Sequence, residues 1–343
     1  MRRVLIIGYG KIARSVHAAV WRDLAKAGKA EVVAICDSSP ARLSLVAADF
    51  GDSVVMQMEA GLRALENGEF DVADICTPGH LHAELVLSAL AAGTHVLVEK
   101  PVCHDYLTWK EICAARAGRH VGVFQTLRTT QNVIELKRAI LEGRLGKITR
   151  ISVLHHARHV LNEAEWVTEY RSDGILFESA IHFIDLAIYL LGSGGLTIDA
   201  VKYYETSHRP LLTGFELLAH DNYSHHIHID FLQDSLMHSG IQSRTILSAD
   251  GADAELQFYP PSMTLLSGVV DPVNQLRSSL RRAWFLGRSL AQPRVKLAPH
   301  YAIAASLLEA IDGRTDAPLV SVADLGVTMA TLDEISAGWK GRA

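Results

Sequence analysis

The stretch Val4-Leu5-Ile6-Ile7-Gly8-Tyr9-Gly10-Lys11-Ile12-Ala13 constrains this chain more than any other. Four consecutive apolar residues suit a strand buried on both faces. Gly8 and Gly10 then permit a tight turn with nothing projecting into it, and from Lys11 to Ala27 apolar positions recur at helical spacing up to Gly28. A strand, a glycine turn and a helix start make an anion site, because unpaired backbone N–H groups and the positive helix end face one spot. Gly8-x-Gly10-x-x-Ala13 is the dinucleotide fingerprint with alanine in its third place. Alone that pattern is weak. Here a second apolar run, Val32–Cys36, closes on Asp37, an acid roughly twenty-odd residues further on. A carboxylate there accepts the adenosine ribose diol and repels a 2′-phosphate. NAD is the expected cofactor, with Ser38 and Arg42 near enough to keep NADP open.

Strand and helix patterns alternate through the first third. Pro40–Phe50, Gly61–Glu66, Leu81–Ala91 and Trp109–Ala117 read as helices; Val54-Val55, Val72–Cys76, His95–Val98 and Val121–Phe124 read as strands. Such alternation predicts a doubly wound parallel sheet whose ligand crevice lies at the carboxyl ends of the strands. Asp37, Thr77-Pro78 and Glu99-Lys100-Pro101 all fall at that edge. Proline holds the residue before it extended, so Lys100 is expected at the mouth of its strand. Beyond Gly146 the pattern changes. Ile148–His155, Ile198–Thr206, Phe215–Ala219, Tyr223–Leu232, Ile241–Ser248 and Ala254–Tyr259 read as strands with few helices between them, which predicts a mostly antiparallel sheet. Helical stretches are expected at about 175–191, at Tyr301–Ile311 and at Val322–Ser336. The expected fold is a Rossmann domain over 1–124 and an α+β substrate-binding and oligomerisation domain over 125–343.

Composition narrows the partners. With a net charge of −5, a hydrophobic fraction of 49% and 21% charged residues, the 343-residue chain offers no electrostatic case for nucleic acid or an acidic membrane surface. No segment is long and charge-free enough to span a bilayer, and the run after Met1-Arg2-Arg3 is too short for a signal peptide. Four cysteines without metal-ligand spacing read as reduced thiols, so a cytoplasmic protein is expected.

In Asp173–Asp185, Phe177, Ile181, Ile184 and Ile188 fall on one helical stripe, and Glu178, His182 and Asp185 share an adjoining one. An acid one turn before a histidine holds the imidazole in one tautomer and raises its pKa, as a proton-transferring histidine requires. A helix with a charged rim is the plainer account. His155 or His159 is expected to touch substrate, with surface histidines as the alternative. Tyr170 and Arg171, near Trp166, either clamp a ring or belong to the core. His226, His228 and Asp230 would share one strand face, where a polar sheet face or subunit contact is preferred to a metal site. Arg277, Arg281, Arg282 and Arg288 suit either a phosphorylated or nucleotide-linked sugar or a solvated helix face.

These residues together resemble a family. Gly8-x-Gly10-x-x-Ala13, Asp37, Thr77-Pro78-x-x-x-His82, Glu99-Lys100-Pro101, Gly143-x-x-Gly146-Lys147-Ile148, the Glu178…His182…Asp185 helix and Ser321–Asp324 are similar to the Gfo/Idh/MocA oxidoreductases. The resemblance implies hydride transfer at C4 of a nicotinamide, interconverting a secondary alcohol and a ketone on a sugar, cyclitol or related polyol. By the same resemblance Lys100 hydrogen-bonds the reacting oxygen, and His182 is the base in oxidation and the acid in reduction. Glu178 stands where the family usually has aspartate. Gly8, Gly10, Lys11, Ile12, Asp37, Thr77, Pro78, His82, Glu99 and Lys100 are expected to bind the cofactor; His155, His159, Tyr170, Arg171 and Asp185 are expected to meet substrate. No metal is expected, and a homo-oligomer, dimer or tetramer, is. Further departures are Gln125-Thr126-Leu127-Arg128 where family members often carry Asn and Arg, Gly174 as the remnant of a glycine cluster usual before this helix, and Ala180 in place of a frequent glycine. The alternatives are an imine or unsaturated-ring reductase on the same scaffold, and a non-catalytic nucleotide-binding regulator.

Overall fold

Val4, Leu5, Ile6 and Ile7 have no solvent exposure, and their strand β1 (Arg2–Ile7) pairs in parallel on both sides, as a run apolar on both faces requires. The computed structural model describes residues 1–157, 173–205, 212–233, 241–258, 261–266 and 297–342, together with 276, 279, 280, 283, 284 and 287. The chain divides into two units.

The first unit comprises Met1–Thr126 and Leu297–Gly326. After β1 come α1 (Ala18–Lys26), β2 (Ala30–Asp37), α2 (Pro40–Phe50), β3 (Val55–Gln57), α3 (Met58–Glu66), β4 (Val72–Ile75), α4 (His82–Ala91), β5 (His95–Val98), α5 (Tyr106–Ala115) and β6 (Val121–Val123). The six strands form one parallel sheet in the order β3-β2-β1-β4-β5-β6, the doubly wound Rossmann order. Strand order reverses beside β1, so the glycine turn lies at the switch point. The segment 297–326 differs from the expectation of a single cut at 124/125. The backbone N–H of Val123 donates to Val320 (3.0 Å), and the Trp109 indole donates to Val322 (2.9 Å). A Cβ at Gly326 would come within 2.8 Å of the Trp109 ring, so only glycine lets the chain pass so close.

The second unit comprises Leu127–Lys296 and Val327–Ala343. It contains α6 (Gln131–Leu141), β7 (Ile148–Ala157), α7 (Ile181–Leu191), β8 (Leu196–Glu205), β9 (Leu212–Asp221), β10 (His226–Gln233), β11 (Gln242–Ala249), β12 (Asp253–Phe258) and β13 (Pro261–Leu266). Helix α8 (Ala298–Ile311) belongs to the first unit and α9 (Gly326–Lys340) almost wholly to the second. The seven strands run β13-β12-β11-β7-β10-β9-β8; only β7 and β10 are parallel neighbours. Ile151 and Val153 on β7, Ile227, Ile229 and Phe231 on β10, and Phe215 and Leu217 on β9 are buried on one face, against which α7 packs. Phe177, Ile181, Ile184 and Ile188 are all buried, as their spacing predicts. Helix α6 and strand β13 had no counterpart in the sequence reading.

Candidate active site

Strand β1 ends at Ile7, and Gly8 follows with φ +89°; a Cβ there would lie 3.0 Å from the carbonyl oxygen of Cys76. Any side chain would push β1 and β4 apart. A Cβ at Gly10 meets nothing within 4 Å, so the absence of a side chain leaves open space at the helix start. The helix begins with a π turn, Ala13–His17, before regular α1. Ala13 is fully buried and Lys11 exposed. A cavity of about 530 Å³ at this turn is lined by Tyr9, Gly10, Lys11, Arg14, Ser15, Arg42 and Leu45. The residues present suit a phosphate-bearing ligand: a helix start adjoins the cavity, and Lys11, Arg14 and Arg42 are among its lining residues.

Asp37 closes β2 and is 1% exposed. One oxygen accepts the Tyr9 N–H (2.7 Å) and the other the Ser39 N–H (2.8 Å). These bonds fix the carboxylate beside the glycine turn. Arg42 lies 3.5 Å from it and is itself half exposed.

Along the same edge, Thr77 and Pro78 follow β4, Glu99 and Lys100 follow β5, and Gln125 follows β6. The Lys100–Pro101 peptide is cis. His82, expected at the cofactor, spans two loops: one ring nitrogen faces the carbonyl of Thr77 and the other that of Pro101, each at 2.7 Å. It ties the ends of β4 and β5 together. Thr77 Oγ1 is buried, as are both amide atoms of Gln125, and among the described residues none of the three has a hydrogen-bond partner.

Glu99 reaches a buried network that sequence reasoning missed. His17 Nε2 lies 2.9 Å from Glu99, its Nδ1 2.9 Å from Asp74, and the Trp21 indole donates to Asp74 at 2.6 Å. Burial works against a charged imidazole, but the Asp74 carboxylate holds the His17 pKa well above its ordinary value. Burial likewise opposes charge on Glu99, yet the hydrogen bond and charge of His17, with Lys100 beside it, hold Glu99 at about 2. The one signal for this triad was position, since His17 falls on the apolar stripe with Ala13, Val20, Trp21 and Leu24. His17, Asp74 and Cys76 have ligand atoms within 4.8 Å of one another. Burial, with Asp74 nearby, pushes the Cys76 thiol up to about 12, so it stays protonated. The cluster is a hydrogen-bonded ion triad with a neutral thiol at its side.

In the second unit, α7 is also preceded by a π turn, Leu176–Ala180. π turns recur where side chains are re-aimed at functional sites. Glu178 and His182 are half-buried. Asp185, expected to meet substrate, instead turns inward: Arg128 grips it through two nitrogens (2.7 and 2.5 Å), and the Thr328 hydroxyl donates at 3.0 Å. It is a buried structural anion. His155, also expected at substrate, is 5% exposed, packs 4.2 Å (ring centroids) from Phe183 and pairs with the Ser243 hydroxyl at 3.1 Å. Burial lowers its pKa to about 4, leaving a neutral core imidazole. On the opposite face of this sheet His228 meets Glu216 (3.1 Å) and His156 meets Asp230 (2.9 Å). His159, Trp166, Tyr170, Arg171, Arg277, Arg281, Arg282 and Arg288 lie outside the described residues.

A parallel sheet in Rossmann order, a glycine turn at its switch point and an acid closing the second strand define a dinucleotide-binding oxidoreductase fold. Residues 2–126 match the family described as "Oxidoreductase family, NAD-binding Rossmann fold", and residues 133–219 match the "GFO/IDH/MocA C-terminal domain". The chain belongs to the Gfo/Idh/MocA oxidoreductase family, and its first unit is an NAD-binding Rossmann domain. It is 31% identical over 200 residues to the D-glucoside 3-dehydrogenase of Escherichia coli (strain K12), covering 55% of this chain and 54% of that protein. It is 27% identical over 203 residues to the inositol 2-dehydrogenase of Rhizobium meliloti (strain 1021), covering 57% and 56%. The chain thus spans about half the length of the curated relatives it matches. The fold is shared with the WlbA dehydrogenase from Bordetella pertussis, solved in complex with NADH and UDP-GlcNAcA. There the TM-score is 0.82 at 17% identity, covering 100% of this chain and 96% of that one. No helix among the described residues is long and apolar enough to cross a membrane.

Proposed function

We propose that this chain is an NAD-dependent dehydrogenase or reductase interconverting a secondary alcohol and a ketone on a sugar, cyclitol or related polyol. The observation that carries the reading is the carboxyl edge of the first sheet. There the Gly8 turn, the fixed carboxylate of Asp37 and Lys100 are carried by one compact unit. The named activities of relatives such as D-glucoside 3-dehydrogenase and inositol 2-dehydrogenase support the substrate class.

The Gly8–Ile12 turn holds the pyrophosphate, Asp37 accepts the adenosine ribose diol, and Thr77 and Pro78 line the crevice, while the Glu99 carboxylate is turned inward onto His17. When bound, the nicotinamide accepts or supplies a hydride at C4. Lys100 donates a hydrogen bond to the reacting oxygen and stabilises negative charge that develops on it. His182 takes the hydroxyl proton in oxidation and returns it in reduction, with Glu178 orienting the imidazole or the substrate. Arg42, 3.5 Å from Asp37, favours a second cofactor reading in which its guanidinium meets the 2′-phosphate of NADP. The protein works in the cytoplasm as a homo-oligomer; light scattering of the purified protein tests the latter. A screen of polyols, aldoses and nucleotide sugars with NAD and NADP, read by absorbance of the reduced nicotinamide, tests the function. Turnover of a sugar or cyclitol is the expected result, and reduction of imines or unsaturated rings alone would replace the reading.

A further inference from the structure

We propose that Gln125 binds the carboxamide of the nicotinamide through a paired amide–amide contact. Gln125 is 1% exposed, and among the described residues neither Nε2 nor Oε1 has a hydrogen-bond partner. Both halves of a buried amide left unmade are costly, and native proteins rarely carry such a group without a use for it. Its backbone is held, since its N–H donates to the Val123 carbonyl at 2.8 Å, so the side chain is presented from a fixed point.

The position of Gln125 narrows what completes it. It lies two residues past β6, which pairs with β5, and β5 runs directly into Glu99 and Lys100. Beyond β4, on the other side of β5, Thr77 Oγ1 is also buried without a partner. Unfilled polar groups therefore follow the strands on both sides of the one that carries Lys100. Ligands of this fold bind outside these carboxyl ends. A primary carboxamide has one acceptor and two donors in a plane, the complement of Gln125 in a single coplanar pair. The hydroxyls of a sugar, or the ribose and phosphates of a nucleotide, offer no such planar pair. The inference rests on the reading that the nicotinamide lies beside Lys100.

Calorimetric titrations of the full chain test it, using wild type and the near-isosteric variant Gln125→Met with NAD⁺, ADP-ribose and 3-acetylpyridine adenine dinucleotide. ADP-ribose lacks the nicotinamide, and the acetylpyridine analogue has a methyl group where the carboxamide NH₂ stands. We expect the variant to bind NAD⁺ about tenfold more weakly, to bind ADP-ribose as wild type does, and to lose less with the analogue. The variant without ligand should melt no lower than wild type, since an unsatisfied amide has been replaced by an apolar group of similar shape. Unchanged NAD⁺ affinity, an equal loss for all three ligands, or a lower melting temperature would overturn the assignment. Should the variant not fold, the wild type decides alone: weaker binding of the analogue than of NAD⁺ supports the pairing, and equal binding removes it. Binding of ADP-ribose but not NAD⁺ by the wild type would defeat the placement of the nicotinamide. Binding of none of the three would defeat the nucleotide reading itself.

Discussion

His17 and Glu99 meet at 2.9 Å in the interior of the nucleotide-binding unit, and Asp74 engages the other nitrogen of the same imidazole. One cation shared by two carboxylates joins the turn before α1 to the ends of β4 and β5, at the edge that carries Lys100.

Replacing His17 with Gln removes that cation and leaves two carboxylates facing each other. Breaking a buried pair from one side costs about 3–5 kcal/mol. The His17 contribution is full below the unfolded value of 6.5 and is lost as pH rises through its raised folded pKa. The Glu99 contribution is full above 4.5 and is lost as pH falls toward about 2. Wild type should therefore gain most over the variant between those two unfolded values. Melting curves from pH 4 to 9 check this; an undiminished melting temperature at pH 5.5 would contradict it.

The core imidazole of His155 predicts a different dependence. Its folded pKa of about 4 lies below the unfolded 6.5, so the unfolded chain binds a proton that the native state refuses. Stability is lost as pH falls from 6.5 toward 4, by about 3 kcal/mol at most. His155→Phe abolishes that share. Urea denaturation at several pH values in this window should show a shallower slope for the variant.

His182→Ala should lower turnover by about 10²–10⁴-fold, the usual worth of a positioned proton-transfer group, and Lys100→Met by about 10²–10³-fold, the usual worth of a donor to developing negative charge. NAD⁺ titrations should remain close to wild type. Normal turnover in both variants would defeat the proposed roles.

Asp37→Ser removes the anion that disfavours a 2′-phosphate while leaving Arg42 nearby. The ratio of NADP to NAD affinity should rise at least about tenfold. Arg42→Ala in the same background should reverse most of that gain. Paired titrations with both cofactors measure it.

Arg128→Met strands the carboxylate of Asp185 in a closed interior and should cost about 3–5 kcal/mol. The double variant with Asp185→Leu should recover much of that loss. Failure to recover would mean that Arg128 matters for another contact, such as its packing 5.0 Å from the Tyr189 ring centre.

The parts of this molecule legible in sequence were those whose cause is local. Runs such as Val4–Ile7 and Val96–Val98 declare buried parallel strands, and Gly8, Asp37 and Glu99-Lys100-Pro101 announce the ends of theirs. Helix α6 escaped because its covered face is short, Val133, Leu136 and Ala139, and shares that face with a polar residue, Asn132, which is buried and bonded to the Gln257 carbonyl. Asp185 is buried because it stands four residues after Ile181 and three before Ile188, and so shares their covered stripe rather than the half-buried one of Glu178 and His182. His155 was misread because alternation along β7 separates two faces without saying which one is covered. His17, Asp74 and Glu99 are far apart in the chain, and only the folded sheet brings them together.

The return of residues 297–326 to the first unit has a consequence for synthesis on the ribosome. Val123 and Trp109 find their partners at Val320 and Val322 only after the whole sheet of the second unit has been made. A fragment ending at Thr126 would expose the Gly122 side of its edge strand, which in the finished protein is covered by Leu307 and bridged to Ser321. Nascent chains halted before that point should depend on chaperones, and the nucleotide-binding half cannot be harvested by cutting the gene once.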